Sequence, residues 1–148
     1  MRAGSAIALL ALWLTALPAT GRDELHGEWI TPGCASRVRI HPCTAAPEST
    51  CGTITWLWES VDRAGHPVRD ANNGDATLRE RPLDGLEILG GLRRSEAGRW
   101  TGGSVYNPED GRHYSANLRL RSAEVLELEG CVLFICKQQI WRRRGAGI

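Results

Sequence analysis

Apolar and polar residues alternate along much of the chain, as they do in β-strands that bury one face and expose the other. The clearest example is "HYSANLRLR", residues 113–121, in which every second residue from Tyr114 to Leu120 is predicted to face inward. In "SRVRIH", Val38 and Ile40 share one face, and "EVLELEG" alternates in the same way. The pattern therefore predicts antiparallel strands with one solvent-facing side.

Eight such runs are separated by turn residues, at about 24–30, 36–41, 53–58, 85–93, 99–107, 113–121, 124–130 and 137–144. Asp110-Gly111 in "NPEDG" suits a hairpin turn that requires a positive φ. "EAG" and "RSAE" are similarly short connections. One long connection, residues 62–84, is predicted to hold a short helical turn near residues 75–80.

The sequence has no amphipathic helix long enough to cover a sheet face. Eight antiparallel strands without such a cover must close on themselves, because an open sheet would leave an apolar face in water and two unpaired edges. The sequence therefore predicts an all-β, single-domain, up-and-down barrel over residues 22–148, with a β-sandwich as the alternative. No internal repeat or linker divides this region.

The first 21 residues have the layout of a secretory signal peptide. They contain Arg2, an apolar run over residues 6–17, and small residues at 19–21. The alternative is a retained anchor, but the run is short for a bilayer core of about 30 Å. We predict cleavage and export to the periplasm or the medium, with no transmembrane segment afterwards. Loss of residues 1–21 removes one arginine and no acid from a chain of formal charge +1. Nucleic acid is therefore not an expected partner.

Five cysteines in an exported chain favour disulfide bonds. Fifteen arrangements leave one cysteine free, and pairing neighbours in the sequence favours Cys43–Cys51 and Cys131–Cys136, with Cys34 as a free thiol. Cys34 as a nucleophile with a histidine base, or as a thiol that captures a partner protein, stays open as an alternative. A zinc site would draw on His26, Cys34, His41 and Cys43, but their spacing lacks the tight pairs of structural zinc sites, so no metal is predicted.

Features at the two ends of the domain resemble the lipocalin and calycin signature. "HGEWI" carries Gly27-x-Trp29 in the first predicted strand, and "QIWRRR" carries Trp141-x-Arg143 in the last. The resemblance implies that Trp29 closes the barrel floor beneath the guanidinium of Arg143, a cation–π arrangement.

The whole predicted domain also resembles a family of small exported bacterial proteins, domain of unknown function 2147. The matching elements, in chain order, are Gly27-x-Trp29-x-Thr31, Arg37-Val38-Arg39-Ile40-x-x-Cys43, Cys51-Gly52-x-Ile54-x-Trp56, Asp70-x-x-Asn73, Leu78-Arg79-x-Arg81-Pro82-Leu83-x-Gly85-Leu86, Trp100-x-Gly102-Gly103, Tyr106-Asn107-Pro108-x-Asp110-Gly111-x-x-Tyr114, Gly130-Cys131 and Trp141-x-Arg143. The family's turn usually has aspartate where this chain has Asn107. The resemblance implies fold and location, and supplies no activity.

The long connection carries four polar residues that are candidates for ligand binding: Asp70, Asn73, Arg79 and Arg81. "DANNGD" resembles a calcium loop only in part, because glycine and arginine stand where oxygen ligands belong. The four residues have two interpretations: they cap turns and brace the barrel rim, or the arginines hold an anionic group of a ligand at the barrel mouth.

Aromatic residues of the strands have two interpretations as well. In "TITWLW", Trp56 and Trp58 are predicted to share a face with Ile54, Tyr114 is predicted to face inward, and Tyr106 is a further aromatic candidate for lining a cavity. These side chains, with Trp100, either fill the narrow bore of an eight-stranded barrel or line a cavity in it.

The sequence favours non-catalytic binding of a small hydrophobic or amphipathic molecule in the cell envelope. The alternative is an envelope structural or protein-interaction module with a filled barrel, for which the sequence names no partner. Neither a nucleophile–base pair nor paired carboxylates stand out, so an enzyme and a cofactor are not expected. An apolar cavity of about 300 Å³ or more would favour the binding function.

Overall fold

The barrel predicted from the sequence is confirmed by the structure, a computed structural model that describes residues 24–145. Eight strands form one closed antiparallel sheet in which each strand pairs with its neighbour in the chain and the last pairs with the first. They are β1 Gly27–Ile30, β2 Ser36–Pro42, β3 Thr50–Leu57, β4 Glu87–Glu96, β5 Arg99–Asn107, β6 Arg112–Ser122, β7 Val125–Val132 and β8 Ile135–Arg143. The only helices in this range are 3₁₀ turns at Pro32–Cys34 and Ala76–Leu78. The predicted signal peptide, residues 1–21, lies outside the described residues.

The predicted inward faces of β2, β6 and β7 form the core. Val38 and Ile40 are buried in β2, and in β6 Leu118 lies between Trp100 of β5 and Leu128 of β7 in the strand register. Burial of these side chains supplies the hydrophobic driving force that holds the barrel closed.

A bulge in β3 changes the inward face that the sequence predicts there. Arg37 of β2 pairs with Trp56, whereas the next residue, Val38, pairs with Ile54, so Thr55 has no partner opposite. One extra residue reverses the alternation beyond it. The prediction that Trp56 and Trp58 face inward with Ile54 is therefore wrong.

Trp56 and Trp58 lie on the outside of the barrel as a result. The guanidinium carbon of Arg37 lies 4.7 Å from the centroid of the Trp56 ring. Trp58 is 72% exposed and meets the edge of Trp56 at a centroid distance of 6.2 Å. Neither tryptophan fills the barrel.

Trp29 and Arg143 close the floor of the barrel as predicted. The Trp29 side chain is fully buried, and the guanidinium carbon of Arg143 lies 4.2 Å from its ring centroid. Arg143 also donates hydrogen bonds to the backbone carbonyls of Glu24, His26 and Ala123. A β-carbon at Gly27 would lie 2.9 Å from Nη1 of Arg143, and the φ angle of Gly27 is +132°. Glycine adopts such a φ at little cost and makes room for the arginine.

Both predicted disulfides are present, and Cys34 is a free, exposed cysteine. Cys43–Cys51 joins the end of β2 to the start of β3 at a Cα distance of 4.9 Å. Cys131–Cys136 bridges β7 and β8 at a Cα distance of 4.1 Å. Each bond therefore stabilises the pairing of two neighbouring strands.

Loss of the Cys43–Cys51 bond is expected to lower the free energy of unfolding by about 2–3 kcal/mol, because the bond restricts the unfolded chain over a short loop. Alanine at both positions keeps these buried sites apolar. Denaturant unfolding of the double variant measures the loss, with Cys34→Ala as a control expected to match the wild type. Equal stability of all three proteins would contradict the prediction.

Candidate functional site: a cavity at the open end of the barrel

The two ends of the barrel differ. The floor holds the short connections 43–49, 97–98 and 123–124, and three tryptophans fill the bore above it: Trp29, Trp100 and Trp141. The opposite end carries the connections 31–35, 58–86, 108–111 and 133–134. A cavity of about 610 Å³ opens between these four connections. The barrel is thus filled at its floor and hollow toward its mouth.

Apolar side chains from several strands and the long connection form the inner wall of the cavity: Ile54, Leu57, Leu83, Ile88, Val105 and Leu128. Gly130 also lines it, and a β-carbon there would lie 3.4 Å from Cγ1 of Val105. Gly130 contributes to this space, because β7 offers no side chain at this inward position. Trp141 separates the cavity from the filled floor.

Polar groups gather at the mouth. Asp110, Tyr114 and Lys137 line the cavity there, whereas Gln139 lies deeper, opposite Leu128, and accepts a hydrogen bond from Trp141 Nε1 at 3.0 Å. The Tyr114 hydroxyl donates a hydrogen bond to the Asp110 carboxylate, which lowers the pKa of Asp110 and raises the pKa of Tyr114. An apolar interior with polar groups at the rim suits an amphipathic molecule.

Asp70 is the centre of a buried polar network behind the cavity wall. Its carboxylate accepts hydrogen bonds from the Tyr106 hydroxyl at 2.5 Å, from Asn73 Nδ2 at 2.7 Å and from Arg81 at 2.9 Å (Nε) and 2.8 Å (Nη2). Arg79 Nε donates to the backbone carbonyl of Asn73 at 2.7 Å. The long connection is therefore fastened to β5 through Tyr106, which also lines the cavity.

The protonation states of this network follow from its contacts. Burial by itself raises the pKa of Asp70, but the hydrogen bonds from Tyr106, Asn73 and Arg81 outweigh it and hold the pKa below the ordinary value of 3.8. Hydrogen bonds to the charged form of an acid favour that form. Burial and the hydrogen bond to Asp70 raise the pKa of Tyr106 above 10.0. Asp70 is thus a carboxylate and Tyr106 a neutral donor at neutral pH.

The structure brings together most of the residues that the sequence singled out. Tyr106 and Tyr114 line the cavity, and Asp70, Asn73 and Arg81 support Tyr106 from behind. Trp56 and Trp58 do not line it.

Val105, Leu128 and Gly130 belong to the apolar wall of the cavity, but none of them is among the ligand-binding residues predicted from the sequence. The signal for part of it is present, since the alternation of β7 places Leu128 and Gly130 on one face. An inward glycine indicates open space inside a barrel only if the side chains beside it on the adjacent strands leave that space empty, and the sequence of one strand does not show those neighbours.

Within residues 24–145, the group of potential metal ligands that lie close together contains a disulfide. Ligand atoms of Glu129, Cys131 and Cys136 lie within 4.8 Å of one another, but the two sulfurs are bonded to each other. Cys43 of the alternative zinc set is also in a disulfide, and His41 Nε2 lies 2.9 Å from Thr53 Oγ1. Within residues 24–145, no helix has the length and apolar character needed to cross a bilayer.

A closed eight-stranded up-and-down barrel with a tryptophan–arginine floor and a cavity at its mouth is a lipocalin-like fold. The fold is similar to that of protein HP1028 from Helicobacter pylori, a solved structure described as belonging to the lipocalin family. The TM-score is 0.71 with 20% sequence identity, over 82% of this chain and 84% of that one.

The chain belongs to the family DUF2147, described as an uncharacterized protein conserved in bacteria, whose profile matches residues 27–143. A comparison with curated protein sequences gives no match.

Proposed function

We propose that the protein binds a small hydrophobic or amphipathic molecule in its barrel cavity, within the bacterial cell envelope. The observation that carries the proposal is the cavity of about 610 Å³ with an apolar inner wall. Ligand pockets usually have volumes of about 300–1000 Å³, so the cavity has the size of such a pocket. The filled floor leaves the mouth as the route of entry. An apolar portion would lie against Val105 and Leu128, with a polar group near Lys137 and Tyr114 at the rim.

Two observations support the exported location and the non-catalytic role in this proposal. Two disulfides in a bacterial family favour an exported protein, since cytosolic thiols are kept reduced. The buried carboxylate beside the cavity, Asp70, already accepts hydrogen bonds from Tyr106, Asn73 and Arg81, which favours a structural role over acid–base chemistry. The alternative function, an interaction module with a filled barrel, agrees with the filled floor half of the barrel but not with its hollow mouth half.

Gly130→Leu is expected to abolish binding, because the new side chain would enter the cavity toward Val105. Gly90→Leu is the matched control, since neither glycine has a positive φ. A β-carbon at Gly90 meets only Oε1 of Glu87 at 3.8 Å and Oγ of Ser104 at 3.9 Å. The measurements are native mass spectrometry of co-purified molecules and titration with a fluorescent C18 fatty acid.

The wild type and Gly90→Leu should take up the fluorescent fatty acid equally, and Gly130→Leu should bind it at least ~10-fold more weakly, about 1.4 kcal/mol. Circular dichroism checks that both variants fold. Equal binding by the two variants, or a wild type that carries no molecule and takes up no probe, would refute the proposed function.

A further inference from the structure

The hairpin that joins β7 and β8 ends in four consecutive exposed apolar residues, Val132, Leu133, Phe134 and Ile135, here named the apolar tip. These residues are 50%, 91%, 89% and 60% exposed, in that order. Isolated exposed apolar side chains are common on protein surfaces, but a contiguous group at a protruding turn marks a contact site. The apolar tip is therefore expected to contact another molecule.

Local turn chemistry does not explain these residues. Val132 pairs with Ile135, so the turn has two residues. Such turns favour Asn-Gly or glycine because they need a positive φ. Here the φ angle of Leu133 is +53°, a conformation that is unfavourable for a residue with a bulky apolar side chain. Large apolar residues thus occupy a turn that polar or small residues would form more easily. Cys131–Cys136 lies directly behind the turn and fixes it.

We propose that the apolar tip inserts into the surface of a phospholipid bilayer and holds the cavity mouth against it. This proposal rests on the proposed function, because docking would serve to exchange an apolar ligand between the bilayer and the cavity.

The tip is continuous with the cavity. Val132 and Ile135 line the cavity and are also half exposed at the tip. With the tip in the bilayer, the apolar wall of the cavity would begin at the membrane surface. An apolar chain could then pass between the two without crossing water, which removes the cost of exposing it to solvent.

Charge along the hairpin fits a phospholipid surface. No charged residue lies between Cys131 and Cys136, and the first charge along β8 is Lys137, which is exposed at the cavity mouth. Lys137 is three residues from Phe134, or roughly 10 Å along an extended strand. Insertion of the apolar tip by ~5–10 Å would leave the ammonium group at the level of the lipid phosphates.

The rim as a whole has mixed charge, because Glu109 and Asp110 of the β5–β6 connection are exposed near the same mouth. Apolar insertion rather than net charge must therefore drive attachment. Exposed Trp58 lies at the same end of the barrel, where its backbone N–H donates to the carbonyl of Ala35 at 2.9 Å. A tryptophan ring suits the bilayer interface and supplies a second contact.

A bilayer fits the tip better than a protein partner does. Four side chains at a narrow turn cannot supply the ~800 Å² that each partner contributes to a standard protein interface. A bilayer surface accepts a narrow apolar projection without a matching groove.

The test compares flotation with phosphatidylcholine vesicles for three proteins: the wild type, Leu133→Gly/Phe134→Asn and Ile140→Asn, with glycine placed at the position of positive φ. The double substitution installs the residues that the turn prefers, so it should preserve folding. Ile140 is 42% exposed on β8 and away from the tip, which makes Ile140→Asn the matched control. The wild type and the control should float, at low and high salt alike, and the double variant should lose at least ~10-fold in partitioning.

Failure of the wild type to float, or flotation of the double variant, would overturn the proposal. So would wild-type self-association in analytical ultracentrifugation that the double variant abolishes without any vesicle binding. Uptake of the fluorescent C18 fatty acid in buffer without vesicles separates the two proposals. The double variant should retain uptake, and a wild type that floats but takes up no probe would refute ligand binding alone.

Discussion

Trp29→Ala is expected to lower the free energy of unfolding by about 3–5 kcal/mol. The Trp29 side chain is fully buried at the floor, so its removal leaves a large cavity and exposes one face of the Arg143 guanidinium. It also removes the hydrogen bond from the indole Nε1 to the backbone carbonyl of Leu25, at 2.9 Å. Packing, the cation–π contact and this hydrogen bond are lost together.

Trp58→Ala provides the matched control, since it deletes the same side chain where it is 72% exposed. Its expected effect lies within about 0.5 kcal/mol. Urea unfolding followed by circular dichroism gives both values without depending on tryptophan fluorescence. If Trp29→Ala fails to fold, Trp29→Phe measures a smaller loss of the same sign. Equal effects at positions 29 and 58 would show that the floor does not depend on Trp29.

Asp70→Ala is expected to cost about 2–4 kcal/mol, because a buried network would lose its central acceptor. The Tyr106 hydroxyl and the Asn73 amide would be left without the carboxylate that accepts their hydrogen bonds, and Arg81 without its counter-ion. Asp84 lies in the same connection and is exposed. Asp84→Ala should therefore change stability by less than about 0.5 kcal/mol. Urea unfolding at pH 7 compares the two variants with the wild type.

The cost of Asp70→Ala should depend on pH. The folded state holds the pKa of Asp70 below its ordinary value of 3.8. The carboxylate therefore contributes stability above the ordinary pKa and loses it as the pH falls through the lower, folded-state pKa. The gap between the wild type and Asp70→Ala should be full at about pH 5–7 and shrink below about pH 4. Parallel stability curves from pH 7 to pH 3 would show that the network does not stabilise the ionised form.

The alternation of side chains was sufficient to predict the barrel. In β2 and β6, Val38 and Leu118 are buried as the two-residue period requires, and the motif residues Trp29 and Arg143 meet at the floor. These features depend on the local pattern and on the ends of the domain. Closure of the sheet followed from the absence of a covering helix.

The positions of Trp56 and Trp58 could not be read from the same pattern. The bulge at Thr55 arises in the pairing of β3 with β2, and a period-2 pattern within one strand contains no sign of it. The polar network around Asp70 could not be predicted from the sequence pattern either. Asp70 and Tyr106 are 36 residues apart, and only the folded chain shows that they are bonded.

The size of the cavity could not be predicted from the alternation of apolar and polar residues alone. Inward positions are occupied by large side chains near the floor, such as Trp100, and by Gly130 near the mouth. Whether the bore is filled or open is decided by the sum of side-chain volumes at each level. The alternation predicts which residues face inward and not how much space they leave.

The contact between β1 and β8 has a consequence for the order of folding. Two residue pairs join these strands, Trp29 with Arg143 and Ile30 with Arg142, whereas every other pairing joins strands adjacent in the chain. Contacts between distant residues carry the largest loop-closure entropy and form slowly. We expect the sheet to assemble from its neighbouring strands first and to close at this seam last. Until then β1 and β8 are unpaired edges, so the stacking of Arg143 on Trp29 also ends the interval in which the folding chain is open to aggregation.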